Sequence, residues 1–159
     1  MNIVFRTQPK PEDIQSVKSI VESTGFFHDH EVDVAVELLV DRIEEGEKSH
    51  YQFLFADIDG KTAGYACYGP IGCTKTSFDL YWLATDHHRR GKGIGKRILD
   101  EMYKLIKANG GTSVYAETSE KEQYAPTRKF YENNGYFKEA VLKDFYDIGD
   151  SKAIYVIHI

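Results

Sequence analysis

The spacing of apolar residues changes several times along the chain, and each change marks an element. Met1 to Thr7 alternates and predicts a first strand. Pro11-Glu12-Asp13 then supplies the proline and acidic first turn favoured at a helix start, and Ile14, Val17, Ile20 and Val21 follow at helical spacing. A second amphipathic helix is predicted from about Glu31 to Glu45, with Val34, Leu38, Val40 and Ile43 as its apolar stripe and Gly46 as its stop. From Tyr51 the period becomes two. Tyr51 to Ala56 and Thr62 to Tyr68 flank Asp59-Gly60, a strong hairpin signal.

Phe78 to Thr85 predicts a further strand, which leads into a glycine-rich loop. After the loop, Ile98, Leu99, Met102, Leu105 and Ile106 define a helix that Asn109-Gly110-Gly111 ends. Ser113 to Thr118 reads as a strand and Pro126 to Asn133 as a helix closed by Asn134-Gly135. Phe137 to Leu142 and Ala153 to Ile159 read as two terminal strands. The order β-α-α-β-β-β-α-β-α-β-β contains no repeat and no linker, so the expected fold is α/β: a central twisted mixed sheet flanked by helices. At 159 residues the chain fits a single domain able to bury a core without staples.

Composition narrows the function classes. Hydrophobic residues make up 42% and charged residues 28%, which is ordinary for a globular protein and argues against long disordered tracts. The net charge of -5 gives no global basic footprint, so nucleic acid is a poor default partner. Cys67 and Cys73 have no second pair with which to make a zinc site, and no metal is expected. No apolar leader follows Met1 and no segment approaches membrane-spanning length, so the expected location is cytoplasmic, with no membrane partner.

Against this acidic background positive charge concentrates at Arg89-Arg90-Gly91-Lys92-Gly93-Ile94-Gly95-Lys96. The run lies between a strand and a helix. Glycines let a ligand approach the backbone, and a helix start offers unpaired N–H groups and the positive end of its dipole to an anion. A Walker A loop is excluded: Gly95-Lys96 is followed by Arg97, and Arg90 stands where its first glycine belongs. The dinucleotide fingerprint also fails, because Gly91, Gly93 and Gly95 alternate regularly and no βαβ repeat surrounds them. What remains is [R/Q]-x-x-G-x-[G/A], read as Arg90, Gly93 and Gly95, with a basic turn at a helix start as the competing reading.

That motif resembles the acyl-CoA pyrophosphate loop of the GNAT superfamily of N-acetyltransferases. The element order is similar to the family's, and Phe130-Tyr131-Glu132-Asn133-Asn134-Gly135-Tyr136 resembles its F-Y-x-x-x-G-[F/Y] segment. The resemblance covers nearly the whole chain. It implies that Gly91, Lys92, Gly93, Ile94, Gly95 and Lys96 cradle the CoA pyrophosphate, with Arg90 opening the motif. It also implies that Leu83, Ala84 and Thr85 offer main-chain hydrogen bonds to the pantetheine arm, and that a splay between the fourth and fifth strands makes the cofactor slot.

The implied reaction is acetyl transfer from acetyl-CoA, as co-substrate, to a primary amine by direct attack. An alkylamine is mostly protonated near neutrality, so a base must take its proton. Glu117, on the fifth strand, stands where several family members carry a catalytic glutamate; an exposed strand glutamate is the bland alternative. Asp79, alternating with Tyr81 on the fourth strand, is the reserve base. Tyr131 matches the family tyrosine that points at the CoA sulfur and can protonate the leaving thiolate; a core aromatic is its alternative. A backbone N–H near Leu83 to Thr85 is the natural oxyanion donor. Where many relatives have an asparagine seven residues before that tyrosine, this chain has Tyr124, which could meet the pantetheine or merely cap the helix.

His87 and His88 lack ligand-spaced neighbours and read as a solvent-facing turn, and Trp82 reads as core. A small amine is favoured slightly over a protein N-terminus or lysine as acceptor, and the resemblance leaves a homodimer open. A non-catalytic acyl-CoA sensor or interaction module on the same fold is the alternative from a different class.

Overall fold

The structure, a computed structural model, describes Met1–Ile159. Eleven principal elements appear in the expected order: β1 (Val4–Arg6), α1 (Asp13–Ser23), α2 (Asp29–Glu45), β2 (Gln52–Ile58), β3 (Lys61–Pro70), β4 (Ser77–Thr85), α3 (Ile94–Ala108), β5 (Ser113–Ser119), α4 (Ala125–Asn133), β6 (Phe137–Asp147) and β7 (Asp150–His158). The strands form one mixed sheet in the order β1-β2-β3-β4-β5-β7-β6, with β4 and β5 parallel and β5, β7 and β6 antiparallel. The fold is therefore the expected mixed α/β class. No helix is long and apolar enough to cross a membrane.

The chain divides into two compact units. Residues Met1–Gly69 and Tyr81–Leu105 form the first, Pro70–Leu80 and Ile106–Ile159 the second.

In the first unit α1 and α2 lay Val17, Ile20, Val21, Val32, Ala35 and Leu39 against Phe53, Phe55, Tyr65 and Cys67 of the β2–β3 hairpin. The hairpin turns where it was expected. Asp59 and Gly60 both take positive φ, 50° and 75°, as a two-residue primed turn requires. Arg6 ties β1 to its neighbours: its Nη1 donates to Asp13 Oδ2 at 2.7 Å and its Nε to Asp57 Oδ2 at 3.0 Å. The stripe expected on α2 is corrected. Val32, Ala35, Leu39 and Arg42 are its buried positions, whereas Val34 and Ile43 are 43% and 41% exposed. Arg42 keeps its stem on the buried face and donates from Nη1 to the Gly46 carbonyl at 2.8 Å, so a helical stripe can contain an arginine.

In the second unit β5 and β7 carry Val114, Ala116, Ala153, Tyr155 and Val156 into a core shared with Tyr131 of α4 and Tyr136. The terminal hairpin is longer than its sequence suggests. β6 runs to Asp147 rather than Leu142, and β7 starts at Asp150 rather than Ala153. The register of β6 on β7 shifts twice, after Lys138 and after Leu142, so the alternation that marks a strand is lost there. Parallel pairing of β4 with β5 runs from Ser77↔Ser113 to Leu80↔Ala116, although β5 continues to Ser119 and β4 to Thr85.

Candidate functional site

The glycine run lies in the first unit. β4 ends at Thr85, Asp86 accepts the His88 N–H at 3.0 Å through Oδ1, and His87–Arg89 form one 3₁₀ turn. The His87 N–H donates to Ser23 Oγ at 3.1 Å, fastening the loop to the end of α1. Gly91 and Gly93 then take φ of 74° and 73°, which L residues adopt only with strain. A Cβ built at either would meet no protein atom within 4 Å. These glycines therefore answer to backbone conformation and leave open space on the loop.

Ile94 begins α3 with its side chain buried, and the Arg97 N–H donates to the Gly93 carbonyl at 3.2 Å. The first-turn N–H groups ahead of that bond have no intrahelical carbonyl to meet. Left-handed glycines followed by a helix start form a nest of N–H groups of the kind that holds phosphate oxygens. Cations surround it unevenly. Arg90 lays its guanidinium 5.2 Å from the Phe26 ring centroid, while Lys96 turns to Asp100, Nζ to Oδ2 2.7 Å. The Lys96 ammonium is thus paired along the helix.

The β4 segment beside the loop is held by a close approach. A Cβ on Gly64 of β3 would lie 3.0 Å from both the Ala84 carbonyl oxygen and Ile98 Cδ1, so glycine is needed there. Ala84 is buried, with Leu83 and Thr85 partly so. Trp82 packs on the first unit's core, 5.0 Å from Phe27 between ring centroids, and its indole N–H is buried with no partner. His87 and His88 are exposed, and no three His, Cys, Asp or Glu side chains are grouped so as to hold a metal ion.

The candidate acid–base residues lie in the second unit. β4 register sets Asp79 opposite Tyr115, and alternation puts Glu117 on the same face two residues on. Glu117 is exposed, and its Oε2 lies 2.6 Å from the Nζ of Lys152, which is 8% exposed. The same ammonium lies 3.5 Å from the centroid of Phe145 and 5.6 Å from that of Tyr146. Asp79 is half-buried. Burial raises its carboxyl pKa, Glu117's charge raises it further, and Lys152 opposes both. A carboxyl so placed binds a proton more readily than a solvated aspartate.

Tyr131 is 8% exposed and is the buried position of α4. Its ring lies 5.1 Å from Tyr136 and 5.9 Å from Tyr155, inclined 30° to the latter. The Tyr155 hydroxyl donates to Glu132 Oε1 at 2.9 Å. Burial, then the bond to Glu132, raise its pKa well above that of a free phenol. Tyr124 stands at the N-cap position of α4 but makes no side-chain capping bond, and Pro126 lies in the first turn.

A nest at a helix start after β4 and a tyrosine on the helix after β5 are local features; a match along the chain decides what they belong to. The model of the acetyltransferase (GNAT) domain matches residues 49–138, a stretch that contains the nest, Glu117 and Tyr131. The chain belongs to the GNAT family of acetyltransferases. A GNAT-family protein from Desulfovibrio desulfuricans is 46% identical, covers 99% of each chain and superposes with a TM-score of 0.96. An aminoglycoside 6'-N-acetyltransferase complexed with coenzyme A, 15% identical over 98% of this chain and 96% of that one, shares the fold at a TM-score of 0.76. The ribosomal-protein-S18-alanine N-acetyltransferase of Escherichia coli does so at 0.74, with 14% identity over 99% and 94% of the two chains. No curated protein sequence matches.

Within this GNAT chain the structure gathers Gly91 to Lys96 and Arg90 into one loop, and Asp79 and Glu117 onto one face. Lys152 was missed by sequence reasoning. Its signal was weak but present: a charge alternating with Ile154 and Val156 and directly preceding the apolar run Ala153-Ile154-Tyr155-Val156-Ile157. Phe145 was missed as well, because β6 has no regular alternation to show where its side chains point.

Proposed function

We propose that the protein is an acetyl-CoA-dependent N-acetyltransferase that passes the acetyl group to a primary amine by direct attack, with a small amine-bearing molecule favoured over a protein N-terminus or lysine. The observation that carries this reading is the pair of left-handed glycines at the start of α3, with open space where their Cβ atoms would stand. It suits a diphosphate and occurs in a chain of the GNAT family. Coenzyme A bound to an aminoglycoside acetyltransferase of the same fold adds support.

In this account the N–H groups of Gly91 to Lys96 bind the pyrophosphate, with Arg90 and Lys92 balancing its charge, and Leu83, Ala84 and Thr85 hydrogen-bond the pantetheine through their main chain. Tyr124 is assigned a contact to that arm. Glu117 takes the ammonium proton of the acceptor, directly or through one water, and Asp79 is the second acceptor on the same face. The neutral amine nitrogen bonds to the acetyl carbon, and a β4 N–H stabilises the oxyanion as its charge develops. The carbon–sulfur bond then breaks, Tyr131 gives its proton to the departing thiolate, and the surplus proton on the amide nitrogen leaves through solvent, from which the phenolate is reprotonated.

Incubating the protein with acetyl-CoA and a panel of small amines, amino acids and peptides, and following released thiol, tests the reading. Turnover with at least one small amine, exceeding that with peptides, is expected. Acetyl-CoA binding without turnover across the panel would favour a sensor, and turnover with peptides alone would move the acceptor class.

A further inference from the structure

Lys152 is 8% exposed, and the proposed transfer step gives its ammonium no part. Its Nζ lies 2.6 Å from Glu117 Oε2, and from β6 the rings of Phe145 and Tyr146 back it at 3.5 Å and 5.6 Å from their centroids. Both rings and Glu117 are about half exposed, so the pair lies within reach of a small molecule. Glu117 is also the carboxylate assigned to the acceptor's ammonium. The chain's own ammonium therefore stands where the acceptor's has to go.

That occupancy sets what an acceptor must carry. A simple monoamine that takes Glu117 leaves Lys152 with the two rings and with Asp79, whose charge it feels but with which it makes no ion pair. An ammonium this little exposed is costly to leave without its carboxylate. An acceptor that brings a carboxylate of its own avoids the cost: its ammonium goes to Glu117, its carboxylate goes to Lys152, and one ion pair becomes two with alternating charges. The rings of Phe145 and Tyr146 hold the lysine ammonium in place through the exchange. Nζ and Oε2 are one hydrogen bond apart, which asks for an ammonium and a carboxylate equally close together. An α-amino acid, with both groups on one carbon, meets that demand.

We propose that Lys152 binds the carboxylate of the acceptor, and that the acceptor is an α-amino acid held between Lys152 and Glu117 with its amine on Glu117. This rests on the acetyltransferase reading and narrows its acceptor.

The test uses common α-amino acids as acceptors with acetyl-CoA, each beside its own α-carboxamide, which keeps the amine and removes the anion. Lys152→Met should lower kcat/KM for the amino acids by about 10- to 100-fold, mostly through KM, as fits loss of a hydrogen bond between charged groups, and change it for the amides by less than about threefold. Lys152→Arg should keep the preference. Comparing variants within each acceptor cancels the difference in amine basicity between acid and amide. Calorimetry with coenzyme A present reads binding apart from turnover: an amino acid should give heat with the wild type and none with Lys152→Met. Equal losses for acids and amides, or acids indifferent to Lys152→Met, would overturn the proposal and leave the acetyltransferase reading standing. Should no amine turn over, that reading fails on its own, and calorimetry still decides the role of Lys152: heat that Lys152→Met abolishes supports it, and no heat with the wild type overturns it. Unchanged thermal melting of each variant keeps misfolding apart from lost binding.

Discussion

The loop at the start of α3 and the Glu117–Lys152 pair are built by different means. In the proposed account the loop binds with main-chain groups, and its form is set by residues adjacent in sequence: a fastened 3₁₀ turn, Gly91 and Gly93 at positive φ, then a helix start. The pair uses side-chain termini on different strands, brought to 2.6 Å by the register of β5 on β7. A main-chain site tolerates side-chain change as long as the backbone keeps its path. A side-chain site fails with one truncation, yet its charge balance can be tuned residue by residue.

The widest separation between the two is expected from Gly93→Glu, which places a carboxylate in the open space on the loop and imposes a left-handed conformation on an L residue. Calorimetry should show acetyl-CoA affinity falling by about 100-fold or more, equivalent to about 2.7 kcal/mol. Unchanged affinity would remove the loop from the account.

Tyr131→Phe deletes one hydroxyl and keeps the ring among Tyr136 and Tyr155. Turnover should fall by about tenfold to 100-fold, at the low end of what a general acid contributes, while acetyl-CoA affinity stays within a factor of two or so. Equal turnover would leave Tyr131 as a core aromatic only.

Lys152→Met sharpens the comparison through pH. Lys152 opposes the burial and the Glu117 charge that raise the Asp79 carboxyl pKa, so its loss should raise that pKa further. A base works when deprotonated, so a higher pKa moves the acidic limb of the kcat/KM profile to higher pH. Lys152→Arg, which keeps the charge, should leave the limb in place, and neither variant should change acetyl-CoA affinity. A limb that stays put in Lys152→Met would exclude Asp79 as the titrating base. Smallest of all, Phe145→Leu removes the ring beneath the ammonium and should cost about 0.5–1 kcal/mol of stability in thermal melts.

The same contrast explains what could be read without coordinates. Every principal element was legible, because helices and hairpins announce themselves through local spacing and stops such as Asp59-Gly60 and Gly110-Gly111. The α2 stripe was misread because the buried face includes Ala35, too small to stand out, and Arg42, which periodicity counts as polar. β6 was cut short because a strand exposed on both faces, with two register shifts, has no alternation to detect. The glycine loop was legible as a local motif. Lys152 was not, since it meets Glu117 across 35 positions of sequence and only strand register makes them neighbours.

The central claim is that the amides at the start of α3 hold the linked phosphates of coenzyme A. Titrating the folded protein with coenzyme A and, separately, with pantetheine, which lacks the diphosphate, tests it most directly. One equivalent of coenzyme A per chain should bind with measurable heat while pantetheine gives none at millimolar concentration. Equal binding of the two, or no binding of coenzyme A, would contradict it.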